Sequence, residues 1–172
     1  GDSAHAIVPF YGQGMNSGFE DCSVLSELID ELPEGATDAD WTAMLDKYSR
    51  VRKPAADAIL DLALHNYIVM RDKTGDPKFQ LQKKIEAKIA SAHPDKWKPL
   101  YSLVTFSHTP YNEAWERGKM QQAVMNIVME EPMIESNWDS DEIIQLAIDT
   151  LEKFQTDSNA MARPTPLLST DV

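Results

Sequence analysis

The sequence predicts a mainly α protein: a Gly-rich loop-to-helix segment over residues 1–32, a helical domain over 33–155 and a tail over 156–172. Three observations carry this reading. Apolar residues recur at three- and four-residue spacing through most of the chain, the period of a helix with one buried face. Four of the seven glycines, Gly1, Gly12, Gly14 and Gly18, fall within the first 18 residues, so backbone freedom is concentrated ahead of the first helix. Alternating apolar and polar residues are nearly absent. The one ambiguous run is "PLYSLVTFS" (99–107), which suits a strand or a short buried helix.

The elements follow in order. Phe19, Cys22, Leu25, Leu28, Ile29 and Leu32 lie at helical spacing and predict a helix over 17–32, with Glu20 and Asp21 in its first turn and Pro33 ending it. On this reading Cys22 is an inert small hydrophobe on the apolar face. Thr37 or Asp38 caps a short helix carrying Trp41, Leu45 and Tyr48. A longer helix follows over about 54–71, with Pro54 in its first turn, where no N–H is needed. Asp76-Pro77 starts another, with Leu81, Ile85 and Ile89 on one face, and Pro94 stops it. Thr109-Pro110 opens a helix to about Met129. Asp139 with Glu142 reads as a capping box for a last amphipathic helix bearing Ile143, Ile144, Ala147, Ile148, Leu151 and Phe154. From Thr156 onward Ser, Asn, Pro and Thr dominate, and the tail reads as disordered. Trp97, Trp115 and Trp138 read as packing residues.

Composition narrows function. The net charge of −12 disfavours nucleic acid and anionic lipid, and no basic stripe reverses it. Cys22 is the only cysteine, which suggests a reducing, cytoplasmic setting. No run of about 18 apolar residues predicts a membrane span, and no signal peptide is evident. His5, His65, His93 and His108 are too scattered for a metal site. No His/Cys pairing points to a nucleophile, so no catalytic side chain and no metal are expected.

The chemistry lies in the opening. "PFYGQGMNSG" places alternate glycines before a helix start, which lets backbone approach a flat or phosphorylated ligand at a helix N-terminus. A tight turn before a helix is the simpler reading of such a loop taken alone. With the Gly1-Asp2 pair, "GDSAH…P…GQGMNSGFED" resembles the second FAD-binding motif of the single-component flavoprotein aromatic hydroxylases. "YSRVRKPAADAI", "HNYIVMR" and "PLYSLVTFSHTPYNEAW" are similar to the kynurenine-hydroxylating branch of that family. The resemblance covers residues 1 to about 128.

That resemblance implies FAD as cofactor, NADPH as co-substrate, and L-kynurenine and O2 as substrates, with 3-hydroxykynurenine as product. It also implies that residues 1–32 are the last piece of an FAD-binding domain. The first dinucleotide-binding fingerprint, Gly-x-Gly-x-x-Gly, is absent. The expectation is therefore a C-terminal portion, inactive alone, that partners with missing N-terminal FAD and substrate domains. Carried over by position, Asp2 contacts the ribitol region, and Pro9, Gly12, Gly14, Met15 and Asn16 line the flavin. Phe10 borders the substrate space, and Asn66 and Tyr101 hold the substrate's amino-acid end. Read without the family, Asn66 is a polar bridge on the stripe of Ile59, Ala63 and Met70, and Tyr101 is a core tyrosine with its hydroxyl paired. The alternatives to the enzyme are a helical interaction module without activity and a related FAD-dependent hydroxylase with another substrate. The acidic last helix lacks the Lys and Arg of a membrane-surface helix.

Overall fold

The computed structural model describes residues 1–156; the predicted disordered tail (156–172) lies, from residue 157 on, outside the described residues. The described residues hold seven helices and no strand, as a mainly α reading requires: α1 (Gly14–Asp30), α2 (Asp38–Asp72), α3 (Pro77–Ala92), α4 (Leu100–Phe106), α5 (Tyr111–Val128), α6 (Ile134–Asn137) and α7 (Asp141–Thr156). They divide into two compact units. One comprises Gly1–Tyr67 with Pro110–Asn112; the other comprises Ile68–Thr109 and the chain from Glu113 onward.

In the first unit, α1 starts at Gly14, earlier than periodicity suggested, so Glu20 and Asp21 are not in its first turn. Its inward residues are Ser17, Asp21 and Leu28, whereas Phe19 (64% exposed), Ile29 and Cys22 face solvent. The expected apolar face is thus corrected: Asp21 takes an inward position because a buried arginine on α2 receives its carboxylate, and Ser17 meets the same arginine through its backbone carbonyl, as described below. Thr37 caps α2 through a reciprocal pair. The Asp40 carboxylate accepts the Thr37 backbone N–H at 2.8 Å, and Thr37 Oγ1 accepts from Asp40 N at 3.4 Å. The two helices expected on either side of Pro54 are one helix of 35 residues with Pro54 inside it. Proline costs one backbone hydrogen bond and a clash with the preceding turn, about 3 kcal/mol. Burial of Ala55, Ala56, Ala58, Ile59, Leu62 and Ala63 on the adjoining turns offsets it.

The second unit is built around Ile85 and Ile89 of α3, Trp97, Val124, Met125 and Val128 of α5, Ile134, and Ile143, Ala147, Ile148 and Leu151 of α7. Asp76 caps α3 by accepting from Lys78 N at 2.9 Å, with Pro77 next in the chain. The run 99–107 resolves as helix α4. It packs so closely on α5 that a Cβ at Gly118 would lie 2.7 Å from Leu100 Cδ2. The cap of α7 is Ser140, whose Oγ accepts from Ile143 N at 3.4 Å, one residue beyond the predicted Asp139. Tyr101 is 54% exposed, which corrects the core reading; its ring meets Phe106 edge-on at 6.1 Å.

Candidate functional site

The Gly-rich opening is two short turns leading into α1. Gly1 O accepts from Ala4 N at 2.8 Å and from His5 N at 3.0 Å, which leaves Asp2 exposed on the first turn. Gly12 N donates to Pro9 O at 3.3 Å with Gly12 at φ +68°, a conformation in which a side chain is strained. Gly14 has only Ile7 Cβ near, at 3.9 Å, so packing alone does not require glycine there.

Pro9, Phe10, Gly12, Met15 and Asn16 are all exposed, Met15 by 72%. They lie beside the N-terminus of a 17-residue helix whose N-cap residue, Gln13, makes no side-chain cap bond. An uncapped helix start offers N–H donors and a positive dipole end to an anionic or carbonyl-bearing ligand. Asp2 is an exposed acceptor on the preceding turn.

Two of the expected substrate residues come together. Asn66 Nδ2 donates to Phe10 O at 2.6 Å, and the Phe10 ring stacks on Tyr67 at 4.5 Å, tilted by 37°. The Asn66 amide therefore braces the loop. Tyr101 belongs to the second unit.

Beneath the exposed loop lies a buried polar network that periodicity did not reveal. Arg52 Nε donates to Asp21 Oδ1 at 2.8 Å, Nη1 pairs with Glu20 Oε1 at 2.9 Å, and Nη2 donates to Ser17 O at 3.3 Å. Asp21 Oδ2 is 2.5 Å from His5 Nε2 and 3.2 Å from the terminal ammonium. Burial pushes the Asp21 carboxyl up, but hydrogen bonds from Arg52 and His5 outweigh it and hold the group below its ordinary value. Burial pulls the Arg52 guanidinium down, and Asp21 and Glu20 raise it further than that. Gln13 and Tyr111, also buried, complete the layer. One signal for it was present: Arg52 lies in helical phase with Ala55, Ala56 and Ile59, and a charge on an apolar stripe demands a partner.

Among the described residues no group of three His, Cys, Asp or Glu side chains is placed to hold a metal ion, and no helix is long and apolar enough to cross a membrane.

Residues 1–63 match the family model described as FAD binding domain. The chain is 50% identical over 153 residues to the kynurenine 3-monooxygenase of Christiangramia forsetii, covering 89% of this chain and 33% of that protein. It is 48% identical over 153 residues to the enzyme of that name from Flavobacterium johnsoniae, covering 89% and 33%. It is 43% identical over 129 residues to that from Sus scrofa, covering 75% and 26%. The resemblance drawn from the motifs thus extends across most of the chain, and the chain spans about a third of the length of the bacterial relatives.

Proposed function

We propose that this chain, which is kynurenine 3-monooxygenase-like in sequence, forms part of the FAD and substrate sites of a hydroxylase that converts L-kynurenine to 3-hydroxykynurenine with NADPH and O2. The observation that carries the reading is the exposure of Pro9, Phe10, Gly12, Met15 and Asn16 at the uncapped start of α1. They lie inside the residues that match the FAD-binding family. FAD, when bound, would accept a hydride from NADPH and activate O2 for insertion of one oxygen atom into the aromatic ring.

The chain's own residues bind and orient. Asp2 accepts hydrogen bonds from the ribityl hydroxyls; Pro9, Gly12, Gly14, Met15 and Asn16 form the surface for the ring. Phe10, held by Asn66 and stacked on Tyr67, closes the space toward substrate. Asn66 and Tyr101 meet the substrate's amino-acid end. No side chain serves as nucleophile or metal ligand. The remaining domains of the FAD and substrate sites are partners in this proposal. A cytoplasmic setting belongs to it too: Cys22 is a free, exposed thiol, the state a reducing compartment maintains.

The test uses a hybrid in which this chain replaces the matching region of the Christiangramia forsetii relative. Asp2→Ala is expected to weaken FAD binding before kynurenine binding. Asn66→Ala and Tyr101→Phe are expected to weaken kynurenine binding with FAD retained. Each lost hydrogen bond to a charged group costs about 1.5–3 kcal/mol, roughly ten- to a hundredfold in affinity. If melting temperature falls for the latter two while the kynurenine Kd is unchanged, they only brace the fold, and their assignment is wrong.

A further inference from the structure

We propose that Gln13 and Tyr111 are positioning residues that set the orientation of the Asn16 carboxamide on the cofactor-facing loop; this rests on the reading of Asn16 as a neighbour of the flavin. Gln13 occupies the N-cap of α1, where Ser, Thr, Asp or Asn would accept a first-turn N–H. Its longer side chain makes no cap bond and is 5% exposed. Burying a carboxamide without partners is costly, and packing alone would be met by Leu or Met.

The partners define what Gln13 does. Its Oε1 accepts from Asn16 Nδ2 at 2.9 Å and from the Tyr111 hydroxyl at 3.4 Å. Tyr111 is the first residue of α5 and stands 98 positions along the chain from Gln13. Burial, and then the charges of Glu20 and Asp21, raise its pKa, so the hydroxyl keeps its proton and acts as donor. Two donors therefore converge on one oxygen, and Gln13 is held from one side by a distant residue while it holds Asn16 on the other. A planar carboxamide fixed through its nitrogen turns its oxygen away from that bond. The exposed end of Asn16 is then a directed acceptor on the loop, where an unpaired Asn would rotate freely.

Two measurements test this. In the 15N-labelled 172-residue chain, the Asn16 side-chain NH2 signal is expected to exchange slowly with solvent. Tyr111→Phe, which removes one oxygen and keeps the ring, should accelerate that exchange several-fold. Gln13→Leu should abolish the protection, and Gln13→Glu, which retains the acceptor, should restore much of it. Unchanged exchange in both Tyr111→Phe and Gln13→Leu would overturn the proposal. In the FAD-loaded hybrid, Tyr111→Phe is expected to shift the visible flavin band and weaken FAD binding several-fold, with kynurenine Kd less affected. A moved Asn16 signal with unaltered flavin band and affinity also overturns it, because the loop is then ordered without consequence for the cofactor. A wild-type hybrid that folds but takes up no FAD sinks the cofactor reading itself, and this proposal with it, even while the Asn16 signal stays protected.

Discussion

Arg52 commits all three guanidinium nitrogens inside the first unit, to Asp21, Glu20 and the Ser17 carbonyl. Removing it leaves the buried Asp21 carboxylate with His5 as its remaining side-chain partner. Arg52→Met is therefore expected to lower stability by about 3–5 kcal/mol, measured by urea unfolding of the chain; a loss below about 1 kcal/mol would show that the network contributes little. Asp21 also sets an acid limit. Its folded pKa lies below its ordinary 3.8, so its stabilisation is complete above the ordinary value and is lost as pH falls through the lower folded one. Urea midpoints between about pH 2.5 and 6 should fall on the acid side, and Asp21→Asn should flatten that fall. Periodicity hid this layer because it rewards apolar positions. Phe19 and Cys22 look inward on that scale, while Ser17 and Asp21 score as surface, although they face Arg52. The turn ahead of α1 was legible for another reason: alternate glycines are local, contiguous and tied to a backbone geometry, and Gly12 adopts φ +68°.

At the scale of elements, α2 is where local signals misled. Pro54 is a sound helix-start residue, and reading it so divided one helix into two. The helix continues because the turns on either side of Pro54 carry a buried stripe, and tertiary burial outweighs one missing backbone bond. Pro54 is exposed, so Pro54→Ala restores that bond without repacking. Allowing for the greater freedom of the unfolded chain, it should raise stability by about 2 kcal/mol. A thermal melt showing no gain would mean that the helix has already relaxed around the proline. By contrast the apolar face of α7 was legible, because six apolar side chains repeat on it, five of them buried and Phe154 half-buried against the core. The seven-residue α4 was not, since so short an apolar run carries no decisive period.

At the scale of the molecule, the second unit owns a continuous apolar core from α3, α5 and α7, while the loop before α1 is held by a few turn hydrogen bonds. Amide exchange is therefore expected to be fast through residues 1–12 and slowest in α3, α5 and α7; equal protection would contradict this division. The exposure of Pro9, Phe10, Gly12, Met15 and Asn16 and the coverage of about a third of each bacterial relative further predict that the 172-residue chain purifies colourless. A yellow preparation with stoichiometric flavin would show that the FAD site needs nothing beyond this chain. The central claim is that these residues belong to a kynurenine-hydroxylating flavoprotein, and product analysis of the hybrid enzyme tests it most directly. With NADPH, O2 and L-kynurenine, the account predicts 3-hydroxykynurenine in near-stoichiometric ratio to NADPH oxidised. A folded, FAD-loaded hybrid that consumes NADPH yet leaves kynurenine unhydroxylated would contradict it.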